Sequence, residues 1–240
     1  MKNRDRLIMA LDVSTLKEAE RLVRQLSPLV KFFKVGKELF TSVGPKAVQM
    51  VRAHKAEVFL DLKFHDIPNT AGAACAEAAR LKVSLLSVHA LGGKEMLVRA
   101  ARSVRQAAGR EGAARPRVLA VTILTSMTER DLKEIGINKR LGKAVEDLAR
   151  LAQHCGLDGV IASGHEIKRI RKVVKNNFLI VTPGVRPAWA ARGDQKRIMT
   201  PGEALEAGAD YLVIGRPITR SDRPREAAEK VLKEMGRVYG

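Results

Sequence analysis

The segment Asp61-Leu62-Lys63-Phe64-His65-Asp66 carries the residues best suited to chemistry. On an extended chain successive side chains alternate faces, so Asp61 and Lys63 point one way and Leu62 the other. Lys34, in the run Phe33-Lys34-Val35-Gly36, comes in beside them if the two runs are neighbouring strands. Asp66 lies three residues beyond Lys63, where Ile67-Pro68 breaks the strand and Asn69-Thr70 opens a helix. Two cations and two anions then alternate at one place. A structural ion-pair network would look the same from sequence. A Schiff-base lysine has to be neutral, and carboxylate neighbours favour the ammonium instead. The cluster therefore suits proton donation to a carbon on which negative charge develops, or electrostatic stabilisation of that charge.

A second constellation lies near the other end of the chain. Thr182-Pro183-Gly184-Val185-Arg186 and Ile214-Gly215-Arg216 each follow an apolar run. Glycines let the backbone approach an anion, and each guanidinium offers a planar fork of donors, so phosphate binding is expected here. Turn glycines with surface arginines are the plainer alternative. The stretch from Arg186 to Thr200 is long for a loop and carries Trp189 and Gln195, the composition of a lid. Asp12 and His89 are softer candidates, either of them as well explained by a satisfied polar residue. Thr125 and Ser126 could simply cap a helix starting near Met127. His54, His154 and His165 are assigned no role.

The elements that must hold these residues are eight short apolar runs, at 7–11, 32–35, 58–63, 84–89, 117–124, 159–162, 178–183 and 211–215. Between them lie segments such as Leu16–Leu26, Ala71–Leu81, Lys94–Ala108 and Val145–Cys155, with apolar residues at three- and four-residue spacing. Eight such repeats in 240 residues predict one domain, a (β/α)8 barrel spanning 1–240, with an open doubly wound sheet as the alternative. A barrel demands functional residues at the carboxyl ends of its strands. Asp12, Lys34, Asp61, Lys63, His89, Ser126, Arg186 and Arg216 all fall there.

Composition narrows the class. Hydrophobic residues at 45% and charged residues at 29% describe a globular chain. No apolar run approaches the roughly 18 residues of a membrane span, and the N-terminal apolar stretch meets Asp12 too soon for a signal peptide. A cytoplasmic protein without membrane contact is expected. Cys75 and Cys155, the only cysteines, have no metal-binding spacing and read as reduced thiols in helices. The net charge of +18 raises nucleic acid as a partner. Yet the cations are dispersed, Arg99, Arg102 and Arg105 recur on one helical face, and 4% aromatic residues leave little for base stacking. No nucleic-acid partner is expected, although the charge would steer anionic substrates.

Taken in order, Ala10-Leu11-Asp12, Phe33-Lys34-Val35-Gly36, the run from Phe59 through Thr70, Val88-His89-Ala90, Leu124-Thr125-Ser126, Thr182–Pro187, Asp194-Gln195-Lys196-Arg197 and Gly215-Arg216-Pro217-Ile218 resemble the bacterial orotidine 5′-monophosphate decarboxylases over nearly the full length. The resemblance implies a cofactor-free, metal-free enzyme that forms uridine monophosphate. Lys63 would protonate C6 of the pyrimidine, with Asp61 against the substrate carboxylate. Lys34 and Asp66 would complete a charged tetrad, Asp66 and Thr70 coming from the partner subunit of a homodimer. Asp12 and Lys34 would hold the ribose, Gln195 with Ser126 or Thr125 the pyrimidine, and Gln195, Arg186, Gly215 and Arg216 the phosphate. Related phosphosugar decarboxylases and aldolases resemble the chain in the Asp-x-Lys-x-x-Asp motif but use magnesium. Gln195 and Leu124-Thr125-Ser126 favour the nucleotide.

Overall fold

A computed structural model describes residues 2–110, 112, 114–190 and 199–236. Eight parallel strands close into a barrel in sequence order, β8 returning to pair with β1. The strands are β1 (Leu7–Ala10), β2 (Phe32–Gly36), β3 (Glu57–Phe64), β4 (Leu85–His89), β5 (Arg117–Val121), β6 (Gly159–Ile161), β7 (Leu179–Pro183) and β8 (Tyr211–Ile214). Helix α1 (Asn3–Arg6) precedes β1, and α2 (Leu16–Leu26) follows it. After β2 come α3 (Lys37–Val43) and α4 (Lys46–Ala53), after β3 α5 (Pro68–Arg80), and after β4 α6 (Gly93–Arg110). The chain continues with α7 (Glu129–Glu134) and α8 (Leu141–His154) after β5, and α9 (Ile167–Arg171) after β6. It ends with α10 (Pro201–Glu206) after β7, then α11 (Arg216–Thr219) and α12 (Pro224–Gly236) after β8.

The strands read as continuous apolar runs because both of their faces are buried. Ile8, Ala10, Phe32, Phe59, Leu85, Leu119, Val121, Ile161, Val181, Tyr211 and Val213 fill the barrel interior. Leu7, Met9, Phe33, Val35, Leu60, Leu86, Val88, Leu212 and Ile214 belong to the outer layer under the helices. Phe32 and Tyr211 meet edge to face at 5.4 Å between ring centroids. Each Val, Leu, Ile, Met and Phe among them contributes about 1.5–3 kcal/mol by leaving water. Helix α2 shows the matching logic on the outside. Thr15 caps it by accepting the Glu18 N–H (3.2 Å), and Ala19, Leu22, Val23 and Leu26 form its buried stripe.

Three expectations need correction. The fifth strand stops at Val121 rather than 124: Thr122 still donates its N–H to the Ile161 carbonyl (3.1 Å), and the chain then turns, Met127 N–H reaching the Leu124 carbonyl. The following helix begins at Glu129, with Thr128 and Asp131 forming a reciprocal capping box, so neither Thr125 nor Ser126 caps it. Cys155 lies just past the end of α8. Both cysteines are buried and free of a disulfide, and burial pushes Cys75 up to about 12, which keeps it unreactive.

Candidate active site

Strand parity delivers the polar side chains. In β1 the inward residues Ile8 and Ala10 are followed two positions later by Asp12, and in β2 inward Phe32 is followed by Lys34. In β3, Phe59 is followed by Asp61, which the register sets opposite Gly36 of β2. A polar layer thus sits on an apolar one. The cavity it opens, about 240 Å³, has Ala10, Phe59, Val121, Ile161 and Val213 in its wall, with Asp12, Lys34, Asp61, Lys63, Thr125, Gly184, Arg186, Gly215 and Arg216 around it.

Within that layer the charges alternate. The Lys34 ammonium is 2.9 Å from Asp12 Oδ1 and 3.9 Å from Asp61 Oδ2. The Lys63 ammonium is 2.8 Å from the same Asp61 oxygen. Asp61 is 8% exposed, so its negative charge acts in a medium that screens it poorly. Gly36 leaves room for the Lys34 ammonium, since a Cβ would lie 2.8 Å from Lys34 Nζ.

Lys63 does not reach this position as a regular strand residue. Its φ is +53°, a left-handed conformation costing a non-glycine residue about 1–2 kcal/mol. The β3–β4 register shifts between Leu60 and Phe64. The ladder partner that Lys63 loses is replaced by Ser87 of β4, whose hydroxyl accepts the Lys63 N–H (2.9 Å) and donates to Asp61 Oδ1 (2.8 Å). Plain alternation put Lys63 beside Asp61. The actual route is a bulge that a neighbouring strand holds in place. Ser87 was missed from sequence, although a small polar residue in an otherwise apolar strand is a signal.

Across the cavity, Gly184 has a φ of +76°, which a side chain would oppose. Arg186 is buried in the cavity wall, and its N–H bonds the Met199 carbonyl (3.0 Å), tying the two ends of the long loop together. Gly215 lies against Asp12 and Ala10, where a Cβ would meet both at 3.2 Å. Gln195 and Asp194 lie outside the described residues. Trp189 is set toward α12, with the Lys230 ammonium 6.0 Å from its ring.

Other expected residues stand apart from the cavity. Asp66 and Thr70 are exposed at the start of α5, and Asp66 Oδ1 accepts the Ile67 N–H (2.7 Å). Within this chain Asp66 therefore does not join the Lys34–Asp61–Lys63 row. Ser126 is exposed and lines a neighbouring groove with Arg140 and His165, whereas Thr125 borders both spaces. His89 caps the turn after β4, its Nδ1 accepting the Leu91 N–H (3.3 Å), and it stacks on His65 at 5.2 Å. Burial, then the neighbouring His65, Lys63 and Lys37, pull its imidazole down to about 4. Among the described residues no three His, Cys, Asp or Glu side chains gather as a metal site, and no helix is long and apolar enough to cross a membrane.

This arrangement has close parallels. An orotidine 5′-phosphate decarboxylase of Trichlorobacter lovleyi is 54% identical over 232 residues, covering 97% of this chain and 95% of that protein. One from Geotalea daltonii is 52% identical with 97% and 96% covered. The crystal structure of orotidine 5′-phosphate decarboxylase from Lactobacillus acidophilus superposes with a TM-score of 0.85 at 36% identity, over 96% of this chain and 99% of that one. The sequence profile of the orotidine 5′-phosphate decarboxylase / HUMPS family matches residues 5–231. With a barrel of this topology, and relatives matched end to end, the chain belongs to the orotidine 5′-phosphate decarboxylase / HUMPS family.

Proposed function

We propose that the protein decarboxylates orotidine 5′-monophosphate to uridine 5′-monophosphate, with Lys63 as the proton donor and without metal or cofactor. The observation that carries this reading is the Lys63 ammonium, 2.8 Å from Asp61 at the wall of a cavity with an apolar layer beneath it. Arg186, Arg216 and the backbone at Gly184 and Gly215 supply a phosphate subsite in the same cavity, to which Gln195 would add from the loop. Asp12 and Lys34, already paired at 2.9 Å, suit the ribose hydroxyls. The pyrimidine then lies over the apolar wall, with Thr125 the better placed of the two hydroxyl candidates.

The bond between C6 and its carboxylate breaks with both electrons left on C6, and carbon dioxide departs. One proton of the Lys63 ammonium passes to C6, leaving a neutral amine that regains its proton from solvent. Preorganised positive charge beside the developing carbanion lowers the barrier, because it is in place before the charge appears. The Lys34 ammonium lies between Asp12 and Asp61, where a divalent cation bridging the two carboxylates would have to sit. This supports a metal-free reaction. Turnover of orotidine 5′-monophosphate, followed spectrophotometrically, should be unchanged by a chelator. Activity lost to chelator and regained with magnesium would instead favour phosphosugar chemistry.

A homodimer with shared sites is part of the proposal. Asp66 and Thr70 are exposed beside Ile67, which is 67% exposed, and Leu91 and Val98 add apolar surface on the α5–α6 side of the barrel. A second copy related by a two-fold axis would cover these side chains and receive Asp66 next to Lys63.

A further inference from the structure

We propose that Ser87 is a positioning residue for the reaction, one side chain that fixes both Asp61 and Lys63. It lies on β4 with its side chain inside the barrel, is fully buried, and does not line the cavity. It therefore acts through other residues and not on the substrate.

Its hydroxyl has one proton to give, and the geometry commits that proton. The oxygen accepts the Lys63 N–H at 2.9 Å, so the O–H points at Asp61 Oδ1, 2.8 Å away. The two bonds run in one direction, from the Lys63 backbone through Ser87 to the Asp61 carboxylate, and the Lys63 ammonium closes a ring on the other carboxylate oxygen at 2.8 Å. Two consequences follow. With Oδ1 occupied, Asp61 cannot rotate, and Oδ2 alone faces both ammoniums, Lys63 at 2.8 Å and Lys34 at 3.9 Å. The left-handed backbone of Lys63 also keeps a partner for its N–H where the shifted β3–β4 register provides no ladder bond. Remove the hydroxyl and Lys63 is released at its backbone while Asp61 is free to turn. The ammonium then leaves the position from which it can reach a carbon in the cavity, and a displacement of about 1 Å in a reacting group costs on the order of 100-fold in rate.

The inference rests on Lys63 being the proton donor, so Lys63→Ala accompanies the test as a control. Ser87→Ala, assayed as the full chain with orotidine 5′-monophosphate, should lose on the order of 100-fold in kcat. Its KM should stay within about 3-fold, because the phosphate and ribose groups are untouched. Ser87→Thr, which restores the hydroxyl, should regain at least about 10-fold of the loss. A hydroxyl that only stabilised the bulge would lower the melting temperature in Ser87→Ala and leave kcat alone. A kcat for Ser87→Ala within about 3-fold of the unaltered protein overturns the proposal, as does a Thr variant no faster than the Ala variant. Should Ser87→Ala fail to fold, Ser87→Cys, close in size and a poor donor, is held to the same limits. An inactive Lys63→Ala with a fully active Ser87→Ala rejects only the role of Ser87. An active Lys63→Ala rejects the donor assignment itself.

Discussion

In the proposed reaction the rate depends on where the Lys34 and Lys63 ammoniums sit to within about an ångström, and small residues beside them leave room for those positions. Gly36 is the plainest case. A Cβ there would meet Lys34 Nζ at 2.8 Å, and that atom is the free end of a flexible side chain. Gly36→Ala should therefore fold normally, with the melting temperature lowered by less than about 3 °C, yet lose about 10-fold or more in kcat/KM as Lys34 is pushed from Asp12 and Asp61. Calorimetry and steady-state rates on one preparation separate the two effects, and unchanged kinetics would remove Lys34 from the site. At this scale the sequence was informative wherever a residue kept strand parity. Asp12, Lys34 and Asp61 each follow an inward apolar residue by two positions, so alternation alone places them. It also put Lys63 beside Asp61, where its ammonium lies at 2.8 Å, but not by the left-handed route taken, because no glycine announces that turn. Nor did it assign a role to Ser87, whose two bonds come from a strand 24 and 26 residues away.

At the level of the elements, the strand ends act as mounts, and His89 at the end of β4 reports on how firmly one of them is held. Its folded imidazole, at about 4 against an ordinary 6.5, disfavours the charged form. Between these values the unfolded chain binds a proton that the folded chain does not, so stability falls as pH drops from about 6.5 to about 4. His89→Asn keeps an acceptor for the Leu91 N–H and should show a shallower loss of stability over that window. Urea midpoints at pH 7, 6, 5 and about 4.5 would measure it. Parallel curves for the two proteins would mean that His89 is not held neutral by its surroundings. The elements themselves were largely legible. Leu16–Leu26 coincides with α2 because its apolar spacing and the Thr15 cap agree. The start of α7 was not, since Thr125, Ser126 and Thr128 are all acceptable caps by type, and Ser126 has Glu129 three residues on just as Thr128 has Asp131, the pair that forms the box. The fifth strand ends before its apolar pattern does, because Ile123 and Leu124 continue that pattern past the last bond to β6, the one from Thr122.

For the molecule as a whole, the feature that sequence makes obvious and chemistry does not absorb is the charge of +18. Part of it is concentrated away from the cavity, where Arg52, Lys55, Lys82, Arg115 and Arg117 line a groove near the amino ends of β3, β4 and β5, with Glu57 as the acid among them. Self-repulsion of this kind is screened by salt, so the melting temperature should rise by a few degrees between ~0.05 and ~0.5 M sodium chloride. A flat or falling trend would show the cations to be already compensated. The assembly is where sequence reading reaches furthest beyond one subunit. In the proposed dimer Asp66 and Thr70 would join the site across an interface, and neither parity nor spacing within one chain reports a two-fold axis. Mixed Lys63→Ala and Asp66→Ala subunits, each inactive alone, should regain activity as hybrids form, because one site in each hybrid dimer then has both native residues. Demonstrated exchange without recovery would return Asp66 to its own barrel. The most direct test of the account remains Lys63→Ala itself, assayed with orotidine 5′-monophosphate in the presence of a chelator. A folded variant whose kcat is lower by about 10⁴-fold or more is expected, while the unaltered protein turns over undisturbed. A folded Lys63→Ala protein retaining a tenth or more of the native kcat would contradict it.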